Sequence, residues 1–485
     1  MAKQDTATAL RRFGLGARPG DHARIAADPR GYVLAALADR QAALLDDPDL
    51  DPSHVIFTDV LTAQSAIRTA RLEAKGVVGS DKAKGAPPAG PAAPAGSSAA
   101  GAPAPPKLAP NPLGRLGRLR NLALQDEIAA RLERAITSDQ PFIERLVMFW
   151  SAHFCVSAAK GNVRALAGAF EREAIRPHVL GRFADMLKAV EQHPAMLIYL
   201  DNQFSIGPNS IAGLRVKRGL NENLAREILE LHTLGVDGGY SQVDVTNLAR
   251  ILTGWTFGGP QTQIGETGKF VFVANRHEPG NWTVLGKTYL DQGVMTGEAV
   301  LEDIARQPAT ARHIALKLAR HFVSEAPPQA LVAELAETFL KTGGDLAALA
   351  RTLVAHPAAW STPAVKIVPP YDFLVSLARG LGHRPKAGEF MRLSAALGQP
   401  IWMPPSPKGW PEDDNAWTGP SAIRERLRIA EMAARQIDKL ADPRTVAADA
   451  LGPRLSDETR QAIARAENRE QGFELLIMSP EFQRR

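Results

Sequence analysis

Apolar residues recur at three- and four-residue spacing over Phe142–Trp150, Val163–Ile175, Phe183–Gln192 and Leu224–Leu234. That period lines them up on one stripe of an α-helix. It resumes from about Gly297 to Gly382 and from Gly388 to Leu397, and again in three or four segments near the C-terminus. The fold class this predicts is mainly α, a multi-helix globular domain. One stretch breaks the period. Between Phe257 and Asp291 the chain turns Gly- and Thr-rich, and Lys269-Phe-Val-Phe-Val and Trp282-Thr-Val-Leu-Gly-Lys-Thr-Tyr alternate in polarity. Period-two patterning predicts two short strands, forming a small β-hairpin insertion near 257–291 laid against the helices.

Two further interruptions set the organisation. Residues 76–112 are dominated by Ala, Pro, Gly and Ser, with the run Gly85-Ala-Pro-Pro-Ala-Gly-Pro-Ala-Ala-Pro at their centre. Such a segment buries too little apolar surface to offset its ordering entropy, so it reads as a disordered insertion between helices near Asp59–Lys75 and Leu116–Ser138. The 75 residues before it are too few for a large core of their own. The expected arrangement is residues 1–75 packed with 113–485 as one domain. A second interruption, rich in Pro, Gly and Trp, spans 399–418.

Composition narrows the function classes. The 485 residues are 45% hydrophobic and 22% charged, with a formal charge of +5, values typical of soluble globular chains. Basic and acidic residues interleave, where a nucleic-acid binder would gather Lys and Arg into one stripe, so no nucleic acid is expected as partner. The single cysteine, Cys155, excludes an intramolecular disulfide and a Cys-rich metal site. No run of 18 apolar residues occurs, so no membrane span is expected. Arg11-Arg12-Phe13 is followed by Gly- and Pro-rich chain with no apolar stretch, and the N-terminus lacks a secretory pattern. The expected compartment is the cytoplasm.

Chemistry-bearing residues crowd between Asn221 and Lys287. The helix opening at Asn221 reads Asn-Glu-Asn-Leu-Ala-Arg-Glu-Ile-Leu-Glu-Leu-His-Thr-Leu-Gly, with Asn221 as N-cap and Gly235 just past its end. Glu222, Arg226 and Glu230 fall at four-residue steps and form an acid-base-acid ladder on one face, with Asn223 and Glu227 beside it. Exposed ladders of this kind are common and worth only a few tenths of a kcal/mol per pair. His232 close by gives the ladder a possible proton partner, but it lies two residues from Glu230 and so on another helix face. No His-Glu-x-x-His or Glu-x-x-His metal pattern is present. Ser241-Gln-Val-Asp244 reads as a capping box opening the next helix. That helix ends at Leu252-Thr-Gly-Trp255, where Trp255 floors a pocket or packs in the core. Gly280 to Thr288 has the wrong spacing and context for a phosphate loop. His277, followed by Glu278 and by Lys287 ten residues later, falls in the hairpin and is placed to face a cleft, although exposed turn histidines are frequent.

Elsewhere, Phe149-Trp-Ser-Ala-His-Phe154 surrounds His153 with aromatics, the pattern of a core histidine. His313, Lys317 and Arg320 share one face of the predicted helix Arg312 to Val323, which also holds His321; this is an anion-binding strip or a solvated face. Pro404-Pro-Ser-Pro-Lys-Gly-Trp410, with Trp402 and Trp417, forms an aromatic loop of the kind that lids a site, grips an extended polymer or packs beneath a long connection.

Several of these segments together resemble one bacterial family. They are Phe149-Trp-Ser-Ala-His-Phe, the stretch from Asn221 to Tyr240, Leu248-Ala-Arg-Ile-Leu-Thr-Gly-Trp, His313-Ile-Ala-Leu-Lys-Leu-Ala-Arg-His-Phe and Ser479-Pro-Glu-Phe-Gln. The family is domain of unknown function 1800, and the resemblance runs from Leu10 to the C-terminus, leaving out the Ala/Pro-rich insertion. It implies no particular reaction and names no cofactor. It implies a protein partner encoded by a neighbouring gene, and relatives that are exported. Where relatives commonly carry Asp after the hairpin histidine, this chain has Glu278, which keeps the carboxylate.

Three readings follow. In the first the protein is an enzyme whose pocket gathers Glu222, Arg226, Glu230, His232, His277 and Lys287 as catalytic groups, with Asn223, Asp244, Trp255, Arg320 and Trp410 holding substrate. It requires these side chains to converge. In the second the protein is a non-catalytic binding or assembly protein that grips a polymer or partner with the Trp402–Trp417 loop, which requires an exposed aromatic patch. The third, metal or haem binding through His153, His232, His277 or His321, has no ligand-like spacing behind it.

Overall fold

The computed structural model describes residues 2–74, 112–216, 219–260 and 264–485. Apart from Pro112, the Ala/Pro/Gly-rich segment lies outside them. The chain is mainly α-helical, as the hydrophobic period requires, with two small antiparallel sheets. Helices Ser53–Ala74 and Pro112–Thr137 flank the omitted segment. Proline occupies the first turn of many helices, including Pro141–His153 and Pro308–Phe322, where its fixed φ suits the helix and its missing N–H costs nothing.

One connected cluster of buried apolar side chains runs from Ala9 to Phe482. Phe13, near the N-terminus, shows how distant segments meet in it. Its ring lies 5.5 Å from Phe142, 6.1 Å from Phe322 and 5.0 Å from Trp360. Beside it the Arg12 guanidinium donates to the Ala359 and Thr362 carbonyls, each at 2.7 Å.

The β region differs from the single hairpin expected. Strand β1, Trp255–Phe257, pairs with β2, Phe270–Phe272, and β3, Trp282–Val284, pairs with β4, Lys287–Tyr289. The reason is a turn inside the second alternating segment. Leu285 and Gly286 both have positive φ, 50° and 77°, the backbone of a two-residue hairpin turn, so 282–289 folds on itself and leaves 270–272 to find β1. Asp244 ties this second hairpin to the helix before it: the capping box with Ser241 forms, and its other oxygen accepts from the Leu285 N–H at 2.7 Å. Trp255 is fully buried against Gly297, where a Cβ would come within 2.4 Å of the indole.

Two helices widen into π-turns, Glu171–Ile175 and Ile228–His232. Such turns re-aim side chains and often mark functional positions. The first points Glu171 into the interior, and the second does the same for His232.

Candidate functional site

Apart from the Glu222–Arg226 pair, the six catalytic candidates of the 221–287 stretch hold different partners. Glu222 and Arg226 pair at 3.1 Å on a partly exposed surface, and Glu222 also accepts from Gln242 and Thr246. Glu230 accepts from the Tyr240 hydroxyl. His232 turns the other way, fully buried, with Nδ1 2.7 Å from Glu191. Two residues apart on a helix, these neighbours lie on different faces, as their spacing required. His277 is buried with both ring nitrogens engaged, Nδ1 by the Thr253 carbonyl and Nε2 by Asp291 at 3.2 Å. Lys287, 61% exposed, pairs with Asp303. None of the six lines the cleft described next. Of the substrate-binding candidates, Asn223 and Arg320 are exposed, Asp244 and Trp255 hold the hairpins, and Trp410 stands in the cleft wall.

That cleft lies under the 399–418 loop. It encloses about 90 Å3, between the end of the Pro141–His153 helix, the end of Pro308–Phe322 and the segment from Lys366 to Asp372. Trp402, Trp410, Trp417 and Tyr371 supply aromatic wall, and His321, Lys366, Glu412 and Arg131 supply polar groups. Apolar walls with a few convergent polar groups are the usual make-up of a small-molecule site. Trp402 and Trp417 are buried and Trp410 is half-buried, so the loop does not present the exposed aromatic patch that a polymer grip requires. Trp402 sits at a left-handed φ of 49°, an uncommon conformation for a large side chain. It is held there by its indole N–H on Glu171 at 3.1 Å and its carbonyl on the Ala158 N–H at 2.7 Å.

The polar groups form one network. His321 Nδ1 lies 2.7 Å from Glu412, and the other Glu412 oxygen takes the Lys366 ammonium at 2.5 Å. The acceptor at Nδ1 fixes the proton there and leaves Nε2 as a lone pair. Nε2 is buried and has no hydrogen-bond partner among the described residues. Burial pushes the His321 pKa down to about 4, against the opposing pull of Glu412, so the ring is neutral at physiological pH. Glu412 is held well below the usual carboxylate range by His321 and Lys366, although burial opposes this. Behind them Asp372 pairs with Arg145 at 2.7 Å and with Arg485, whose guanidinium also reaches the His321 carbonyl at 3.3 Å. On the far wall Arg131 pairs with Glu171 at 3.2 Å and lies over the Tyr371 ring.

His321 ends an inward stripe of the Pro308–Phe322 helix that starts with His313 and Lys317. From sequence the stripe was expected to be His313, Lys317 and Arg320. A three-residue and a four-residue step both stay on one face, and packing chooses the second. Arg320 points to solvent, and only its carbonyl takes part, accepting from Lys366 at 2.6 Å. His313 reaches the Leu231 carbonyl at 3.2 Å, and burial, with the charge of Lys317, lowers its pKa to about 4. Its ring centre is 6.2 Å from that of His153. His153 is a core histidine as its aromatic neighbours suggested, with Nε2 on the His232 carbonyl at 3.0 Å and a pKa pushed well below the usual range, chiefly by burial. Cys155, in the cleft wall, donates to the Pro407 carbonyl, and burial raises its thiol to about 12. It is therefore no thiolate nucleophile at neutral pH.

Among the described residues no three His, Cys, Asp or Glu side chains are grouped so as to hold a metal ion, and no helix is long and apolar enough to cross a membrane. Lys366, Asp372 and Glu412 carried no motif in the sequence. Glu412 had one faint signal, its place just after Trp410-Pro411 in the aromatic loop.

Fold and cleft together describe a mainly α protein with an aromatic-walled cleft that holds a histidine–carboxylate pair. The chain belongs to the family of proteins of unknown function DUF1800, whose model matches residues 8–484. No curated protein and no solved structure matches it.

Proposed function

We propose that the protein is an enzyme that binds a small organic molecule beneath the 399–418 loop and uses His321 for proton transfer. The observation that carries this reading is the His321 ring in the cleft wall, with Nδ1 held by Glu412 and Nε2 unpartnered. A positioned imidazole oriented by a carboxylate is the usual arrangement for general acid–base work. Neutral His321 accepts a proton at Nε2, and Glu412 stabilises the imidazolium that forms. The low proton affinity of the buried ring then favours returning that proton to a leaving group. Trp410 and Tyr371 contribute apolar surface for the ligand body.

The ladder on 221–235 and the hairpin residues His277 and Lys287 have no part in this mechanism. A partner encoded by a neighbouring gene is compatible with it and adds nothing to it.

The test is a thermal-shift screen of the purified chain against small carboxylates, phosphorylated compounds, carbonyl compounds and sugars, followed by NMR turnover assays on the hits. A hit converted by the wild type and bound but not converted by a folded His321→Gln variant supports the reading. Conversion at an unchanged rate by that variant removes it.

A further inference from the structure

Two residues of the cleft wall each keep a buried polar atom without a partner. One atom is His321 Nε2 and the other is the Tyr371 hydroxyl. Tyr371 is only 6% exposed, and its hydroxyl makes no hydrogen bond with the described residues. A buried hydroxyl is ordinarily bonded, because leaving it unpaired forfeits the bond it makes in water. A lone pair and a phenolic O–H are complementary, yet these two do not bond to each other. A molecule placed between them would satisfy both.

The rest of Tyr371 is held in place. It stands in the first turn of the Pro370–Leu381 helix, and its backbone N–H donates to Gln399 Oε1 at 2.8 Å. The Phe390 ring meets its ring edge to face at 5.3 Å, and the Arg131 guanidinium, itself paired with Glu171, lies 4.6 Å from its centre. The next residue, Asp372, pairs with Arg485, whose guanidinium reaches the His321 carbonyl at 3.3 Å. Tyr371 and His321 are thereby braced against one another. Burial raises the Tyr371 pKa above its ordinary 10, with Arg131 opposing, so the hydroxyl keeps its proton and serves as a donor. The charges of the wall are matched among themselves: Glu412 with His321 and Lys366, Arg131 with Glu171, and Asp372 with Arg145 and Arg485. These two atoms add one neutral acceptor and one neutral donor.

We infer that Tyr371 is the ligand-binding donor of this cleft, which takes a small uncharged compound carrying both a carbonyl and a hydroxyl group. The inference rests on the reading of the cleft as the ligand site. The Tyr371 O–H donates to the carbonyl oxygen, and the ligand hydroxyl donates to His321 Nε2. The two ends of the ligand are not interchangeable, because a carbonyl has no hydrogen to give the imidazole. A second hydroxyl in place of the carbonyl would bring a hydrogen that itself needs an acceptor, whereas a carbonyl brings none. An anion would enter a wall whose cations already hold carboxylates. The cleft's 90 Å3 or so is room for several water molecules, or for a compound of a few heavy atoms in their place. Since packing fixes the Tyr371 ring beforehand, little ordering of that side chain opposes binding.

Hydroxyacetone is the probe, titrated into the full chain at neutral pH and followed by ligand-observed NMR. Three compounds of similar size each lack one feature: acetone has no hydroxyl, propylene glycol has no carbonyl, and glycolate is charged. We expect hydroxyacetone to bind the wild type more tightly than all three, and Tyr371→Phe to weaken it about five- to ten-fold, the worth of one neutral hydrogen bond. No binding by hydroxyacetone, tighter binding by any of the three, or an unchanged affinity in Tyr371→Phe overturns the inference. The variant also reports on the free protein. It removes the hydroxyl and keeps the ring, so with no partner to lose it should melt at or above the wild-type temperature. A clear fall would mean that the hydroxyl has a structural partner, and would equally overturn the inference. The two readings separate cleanly. Screen hits converted in a His321-dependent way but indifferent to Tyr371→Phe remove the inference and keep the acid–base enzyme, whereas hydroxyacetone binding that needs Tyr371, with turnover indifferent to His321→Gln, does the reverse.

Discussion

Glu412 holds His321 Nδ1 at 2.7 Å with one oxygen and the Lys366 ammonium at 2.5 Å with the other. One carboxylate thereby orients the ring and neutralises a lysine that is only 3% exposed. Glu412→Gln removes the charge and keeps the shape. Its side chain is 38% exposed, so water replaces part of what is lost, and we expect a destabilisation of about 1–2 kcal/mol, below the cost of breaking a sealed pair. Urea unfolding reads it, and ligand turnover should fall by more than ten-fold, on the order of a lost general-base partner.

Asp372 faces the opposite situation. It is buried between Arg145 and Arg485, and Asp372→Asn would leave two guanidinium groups without a counter-charge. The expected cost is about 3–5 kcal/mol. A midpoint in urea unchanged from wild type would show that water reaches these arginines.

Stability should fall between pH 6.5 and 4. His153, His313 and His321 all have folded pKa values below the ordinary 6.5, the last two at about 4. The unfolded chain therefore takes up protons first as pH drops, and their stabilising contribution is intact above 6.5 and lost as pH falls towards 4. Carboxylates held low, such as Glu173 at about 2, add a second loss that begins near their ordinary 4.5. Melting temperature followed from pH 8 to 4 checks the sign, and His321→Asn should flatten the upper part of the slope.

Trp410 is half-buried in the cleft wall. Trp410→Ala should change the melting temperature little and abolish most of the shift produced by any cleft ligand. A ligand whose stabilising effect survives in this variant binds elsewhere.

The Glu222–Arg226 pair makes the contrasting case. It is a partly exposed i,i+4 pair, and Glu222→Ala with Arg226→Ala should alter stability by no more than about 0.5 kcal/mol and leave turnover unchanged. A large loss of activity in the double variant would return the site to the 221–235 helix.

Much of the local structure was legible. The capping box at Ser241–Asp244 forms as its residue types require, and Gly235 takes the left-handed φ, 84°, expected just past a helix. Alternation marked 269–273 and 282–289 as strands, but each found a different partner from the one expected, because pairing depends on where turns close. The candidate site was less legible still. Trp410 and the face of the Pro308–Phe322 helix were in view, while Lys366, Asp372 and Glu412 sit in segments with no periodic or motif signal.

Hydrophobic period, cap residues and turn residues act over a few neighbouring positions, so the sequence by itself determined the mainly α class, the strand segments and the family, while several helices start earlier than their period suggested, as Ser53–Ala74 and Pro308–Phe322 do. Which titratable groups share a cavity is settled by contacts across hundreds of residues. His153 and His313, or His321 and Glu412, meet only because the whole apolar core packs. Along 221–235 the packed helix leaves Glu222 and Arg226 partly exposed and turns His232 inwards, and burial, the largest cause of the shift of His321 to about 4, is a property of the tertiary structure.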